Sequence, residues 1–108
     1  MTKNDLQGAL DLLILKTLSH LDSMHGYGIT MHIRCVTDEL LIVEEGSLYP
    51  ALHRIEQNGL VRASWAITDY GRKAKWYTLT RAGREQLASR EKNWAQVVKG
   101  GDAILHFA

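Results

Sequence analysis

The chain opens with apolar residues at Leu6, Leu10, Leu13, Ile14, Leu18 and Leu21, the recurrence expected of one helix face. Leu12 and Leu15 add apolar surface off that stripe, so this helix must be wrapped on more than one side. In so small a domain a partner chain is a natural wrapper, and Asn4 or Asp5 is a candidate cap. The pattern breaks over Ser23 to Tyr27 at Gly26, with Gly28 close behind, before Ile29, Ile33 and Val36 mark a shorter second helix. A third helix is better signed. Ser47 is a good N-cap, and Leu48, Ala51, Leu52 and Ile55 follow at i, i+3, i+4 and i+7. Pro50 then falls in the first turn, where a missing N–H has no helical partner to lose, and Asn58-Gly59 supplies the stop.

After Gly59 the period changes to two. Val61, Ala63, Trp65 and Ile67 alternate with Arg62, Ser64 and Ala66, which predicts a half-buried strand. Asp69 to Lys73 is a turn-forming loop, and Ala74 to Leu79 is a second strand, so the two form a hairpin. Thr80 caps a last helix from Arg81 to about Leu105, whose stripe of Leu87, Trp94, Val98 and Leu105 runs near a seven-residue repeat. Gly100-Gly101 is its weak point. Three helices, a hairpin and a long helix predict a mainly α fold with a small β-hairpin. This is a winged helix-turn-helix over residues 1–80, with a C-terminal dimerisation helix over 81–108, in one compact body.

Composition narrows the reading. At 108 residues the chain has length for one domain. Its single cysteine, Cys35, forbids an internal disulfide. The longest apolar run, Leu12 to Leu15, is too short for a membrane span, and no signal-peptide pattern is present, so a cytoplasmic protein is expected. The formal net charge of +1 argues against binding nucleic acid by bulk charge alone. The charge is unevenly placed, however. Arg72, Lys73, Lys75, Arg81 and Arg84 fall between Tyr70 and Arg84 with no acidic residue among them, which suits a wing lying along a phosphate backbone. The low total implies weak non-specific binding, with both wings of a dimer engaging together.

With Leu48, Leu52 and Ile55 facing the core, the third helix leaves Ser47, Tyr49, His53, Arg54 and Gln57 on or near its open face. Arginine can fork onto a guanine edge or a phosphate, and serine and tyrosine reach phosphate oxygens at a helix N-terminus. The plain alternative is a solvated helix face, which the adjoining turn and hairpin make less apt.

These residues also carry a resemblance. Leu6-Gln7-Gly8-Ala9-Leu10-Asp11-Leu12-Leu13-Ile14-Leu15 resembles the opening helix of PadR-family transcriptional regulators, as does His25-Gly26-Tyr27-Gly28-Ile29 in its place. The run from Glu44 to Glu56, then Gly59-Leu60-Val61, Trp65, Arg72 to Thr80 and Gly83 continue it, covering about residues 5 to 90. The resemblance implies a homodimeric winged-helix repressor of the small subfamily, bound to double-stranded DNA at an inverted-repeat operator. It puts recognition-helix contacts on Ser47, Tyr49 and Arg54 with His53 beside them, and wing contacts on Arg72 and Lys73. Lys75 and Tyr27 join as further phosphate contacts, and Tyr77 takes a structural position near the wing. Where Lys73 stands the family often has a second arginine, so phosphate binding is kept while a bidentate fork is lost. The dimer would be closed by Leu12, Leu15, Leu87, Trp94, Val98 and Leu105.

Trp94 also suggests a place where a flat aromatic effector stacks between two copies, the alternative being a buried dimer-core ring. His32 and Cys35, three apart, with His20 and His25 nearby, raise a metal-responsive regulator as an alternative. No CxxC or HxxxH supports it, and neither metal nor cofactor is expected. A winged-helix module for protein–protein contact is the other alternative. No phosphate loop, nucleophile with a matching base or paired carboxylates support an enzyme.

Overall fold

The computed structural model describes the backbone of residues 3–108 and the side chains from residue 8 onward. In chain order the elements are α1 (Lys3–Leu21), β1 (Ser23–His25), α2 (Gly26–Val36), α3 (Glu45–Gln57), β2 (Val61–Ile67), β3 (Lys73–Leu79) and α4 (Arg81–Leu105). The side chains of Leu6 and of the capping candidates Asn4 and Asp5 lie outside the described residues. Among the described residues no helix is long and apolar enough to cross a membrane.

The core forms around α1, which is packed by α2, α3, α4 and β3. Ile14, Leu15 and Leu18 are fully buried there against Ile29 and Ile33 of α2 and against Leu48, Leu52 and Ile55 of α3. Leu79 and Leu87 close it from the sheet and from the start of α4. This corrects the expected dimer surface. Leu12 (8% exposed), Leu15 (0%) and Leu87 (7%) lie inside the protomer's own core, because α1 is surrounded by its own chain and needs no partner to cover its second apolar side. Val36, one of the three apolar residues that mark the second helix, points into solvent at the helix end.

The sheet has three strands where the sequence suggested two. Asp22 takes a left-handed φ of 64° and turns the chain out of α1, so that Ser23–His25 run antiparallel to β3. The order is β1-β3-β2, with Ser23 opposite Thr78 and His25 opposite Trp76. On the other side Val61 pairs with Leu79, Trp65 with Lys75 and Ile67 with Lys73. A three-residue strand is too short to show alternation, which is why β1 was hidden. His25 also caps α2: its Nδ1 accepts the Gly28 N–H at 3.0 Å.

Two termini of α3 behave differently. The C-terminus follows its sequence signal. Gly59 adopts φ 74°, its N–H donates to the Glu56 carbonyl and the Leu60 N–H donates to that of Ile55, the paired bonds of a Schellman stop. The N-terminus starts earlier than expected. Glu44 is the N-cap, without a side-chain cap bond, and the Ser47 N–H donates to the Glu44 carbonyl at 3.0 Å. Ser47 therefore lies within the first turn, and Pro50 falls in the second, inside the helix. There its missing N–H leaves the exposed Gly46 carbonyl to solvent.

The start of α4 is locked onto the hairpin base. Thr80 Oγ1 accepts the Gly83 N–H at 3.0 Å and donates to the Gly59 carbonyl at 2.7 Å, while the Thr80 N–H donates to the Leu60 carbonyl. Beyond Glu91, which pairs with Lys16 at 2.9 Å, α4 leaves the body. The molecule measures 56 × 29 × 23 Å with a radius of gyration of 15.0 Å. A compact chain of this length would have about 13 Å.

Candidate nucleic-acid interface

Helix α3 carries its apolar residues on one side and so turns Ser47, Tyr49, His53 and Gln57 outward. The hairpin of β2 and β3 stands beside it as a wing. Its tip is shaped by the Gly71 N–H donating to the Thr68 carbonyl and the Thr68 N–H donating to the Arg72 carbonyl, with Gly71 at φ 77°. Arg72 and Lys73 leave this tip exposed and form no ion pair among the described residues.

Between wing, α3 and the start of α2 lies an open cleft of about 850 Å³. It draws together Tyr27, Tyr49, Arg72, Lys73 and Lys75 from four separate elements or loops of the sequence. Gly26 permits the close approach on one wall, since a Cβ there would stand 3.1 Å from the Tyr49 ring. Ser47 and His53 stay on the outer surface of α3, outside the cleft.

Two residues expected to contact DNA are held elsewhere. Arg54 points back toward α1, where its Nη2 donates to Asp11 Oδ1 at 2.7 Å and its Nε to Oδ2 at 3.4 Å. Arg90 of α4 stands 3.5 Å from the same carboxylate. The Asp11 side chain is 8% exposed and that of Arg54 33%, so Arg54 ties α3 to the body rather than reading bases. The reason lies in the helix wheel: Arg54 sits on the flank of α3 opposite Tyr49, and an apolar α1 carrying one buried carboxylate needs a cation there. Lys75 in turn donates to Glu56 Oε1 at 2.8 Å and lies 5.8 Å from the Tyr77 ring centroid. Its charge is answered within the protomer. The Glu56 hydrogen bond raises the lysine above its ordinary 10.5, against the pull of burial. Burial likewise lifts the Tyr77 phenol, with the Lys75 charge opposing.

The cleft also contains residues that the sequence reading passed over as strand packing. Trp65 is 63% exposed and Ile67 71%, although both hold the core-facing phase of β2. The alternation is real, but only its lower half meets the core. Beyond it Trp65 lines the cleft, with Lys73 Nζ 5.9 Å from its ring, and Ile67 is exposed outside the cleft. Tyr70 and His25 line it too. The signal available beforehand was the pairing of Trp65 and Ile67 with lysines across the hairpin, since a core strand does not face two cations.

On α4, Trp94, Val97, Val98, Ile104 and Leu105 are exposed, as is Phe107 just past its end, and Trp94 lies outside the cleft. Cys35 is exposed, and no cluster of three metal-ligating side chains occurs among the described residues.

Residues 14–89 match the Transcriptional regulator PadR-like family. An uncharacterised protein of Lysinibacillus sphaericus is 31% identical over 98 residues, 90% of this chain and 89% of that one. A transcriptional regulator of Clostridium thermocellum, 26% identical, superposes with a TM-score of 0.81 over 94% of this chain and 95% of that one. A PadR family transcription regulator of hypervirulent Clostridium difficile, also 26% identical, gives 0.75 over 89% and 97%.

Proposed function

The chain belongs to the PadR-like family of transcriptional regulators, and from that premise we propose that it is a homodimeric, cytoplasmic repressor that binds duplex DNA sequence-specifically and is released by a small molecule. The observation that carries this reading is the shared surface of α3 and the wing. Exposed Ser47, Tyr49 and His53 project from one helix beside the unpaired Arg72 and Lys73, with Tyr27 across the cleft. The N-terminal half of α3 enters a major groove, where Ser47, Tyr49 and His53 meet base edges and phosphates. Arg72 and Lys73 take the flanking backbone, and Tyr27 reaches a phosphate.

The exposed apolar residues of α4 support the dimer. Trp94, Val98 and Leu105, joined by Val97 and Ile104 and by Phe107 just past the helix, offer the surface that Leu12, Leu15 and Leu87 do not. A twofold dimer reads an inverted repeat whose half-sites lie about 34 Å apart, or a multiple of that. Trp94 is the place where a flat aromatic effector would sit between copies.

Footprinting on the upstream region of its own gene, followed by gel-shift titration, tests the reading. Arg72→Ala is expected to weaken every duplex, while His53→Ala relaxes sequence preference. Affinity should fall on a log–log plot with added salt, with a slope of about 0.9 per phosphate contacted. Salt-independent retention of DNA, or none at low salt, would remove the proposal.

A further inference from the structure

We propose that the cleft between the wing and α3 binds an unpaired nucleotide, with the base stacked among its aromatic rings and the phosphate held by Arg72 and Lys73. The walls offer more ring surface than backbone contact uses. Tyr27, Tyr49, Trp65 and Tyr70 bring four ring systems to one cavity, all of them among the exposed large hydrophobics of the chain. The phenol O–H groups can reach a phosphate backbone, but the ring faces find no partner there, and the bases of an intact duplex present only their edges. A ring wall is matched by a base face, which is available only when the nucleotide is out of its stack.

The cations are placed for the other half of such a ligand. Lys73 Nζ lies over the Trp65 ring, 5.9 Å from its centroid, so a base stacking there displaces the ammonium toward its own phosphate. Arg72 adds a planar fork suited to two phosphate oxygens. Lys75, the third cation of the cleft, is already bound to Glu56 and leaves the phosphate to these two. At about 850 Å³ the space falls within the range of small-ligand clefts. The open side admits either a free nucleotide or one unpaired residue of a strand.

This site goes beyond the repressor reading and does not require it, because binding is detected with a nucleotide and a single strand and a duplex serves only as the comparison. Calorimetric titration of the full chain with 5′-dAMP is compared with deoxyadenosine, which lacks the phosphate, and ribose 5-phosphate, which lacks the base. A single strand of eight deoxyadenylates distinguishes the two sources. If free nucleotides are the ligand, dAMP saturates one site per protomer, and each half-ligand binds at least about tenfold more weakly. If strands are the source, dAMP is silent and the single strand binds. In either case Trp65→Ala and Arg72→Ala each weaken binding about tenfold. Both side chains are exposed, so thermal melts of these variants should match the parent.

Silence toward both dAMP and the single strand overturns the site. So does affinity that survives Trp65→Ala, or that falls instead with Trp94→Ala. A matching duplex that binds as tightly as the single strand, with the same loss on Trp65→Ala, overturns it as well, since the rings would then serve paired DNA. Failure of duplex binding in the gel shift would remove the repressor reading and leave this result standing.

Discussion

A single carboxylate decides what Arg54 is for. Asp11 is buried, holds Arg54 at 2.7 Å and has Arg90 at 3.5 Å, so removing it strands a half-buried guanidinium against α1. Breaking a fully buried pair costs about 3–5 kcal/mol, and partial exposure of the arginines brings Asp11→Ala to about 2–3 kcal/mol. Urea unfolding of Asp11→Ala, Arg54→Ala and the double variant should show strong coupling. Additive losses would mean that the pair contributes nothing. For the same reason Arg54→Ala should lower the unfolding midpoint, an effect that a base-reading arginine in solvent would not have. The Lys75 and Tyr77 pair gives a second expectation, in pH. Both groups titrate higher in the fold than their ordinary values of 10.5 and 10.0, so the folded state favours their protonated forms. Their stabilisation is complete below about pH 10 and is lost as pH rises through the folded values. Thermal midpoints should fall above that pH, and less steeply in Glu56→Gln and Tyr77→Phe. Equal slopes in all three proteins would exclude this origin.

At the scale of elements, two kinds of glycine separate cleanly. A Cβ on Gly83 would collide with the Leu60 carbonyl, so Gly83→Ala pushes α4 off the hairpin base and should cost about 3 kcal/mol. Nothing lies within 4 Å of a Cβ on Gly100, so Gly100→Ala should stabilise α4 by about 1 kcal/mol. Thermal melts of the two variants moving the same way would contradict this packing. The sequence already showed Thr80 as the cap of α4 and Asn58-Gly59 as the stop of α3, because both signals act on backbone groups a few residues away. It also showed the hairpin of β2 and β3 and the mainly α winged architecture. It hid β1, which exists only because β3 offers an edge to pair with. It misread the start of α3, since Glu44 caps without a side-chain bond and the Ser47 signal was stronger. The site divides along the same line. Exposure of Tyr49, Arg72 and Lys73 follows from residue type and helical face, whereas the withdrawal of Arg54 and Lys75 depends on Asp11 and Glu56, residues 43 and 19 positions away. Periodicity reports which side of an element is apolar and is silent about which charge waits on the neighbouring one.

Over the whole molecule, asymmetry is the governing property. A body of three helices and a sheet carries the exposed Arg72 and Lys73 at the wing tip and, at the other end, a half-helix with exposed Trp94, Val97, Val98, Ile104 and Leu105. Paired substitution Trp94→Asp with Val98→Asp is expected to yield monomers in sedimentation equilibrium and to weaken operator binding by about 100-fold or more, since the two wings would no longer engage together. An unchanged mass would place the interface elsewhere. The reach of α4 has a thermodynamic consequence. Its 25 residues span about 37 Å, and those after Glu91 find no buried packing within the chain. A stretch of that length is marginal as a helix in water unless its apolar face is covered. Mass action then enters the secondary structure itself. In the proposed dimer the far-ultraviolet circular dichroism per residue should decline on dilution before the body unfolds, and the quantity of protein in the cell would then govern how much of this helix exists.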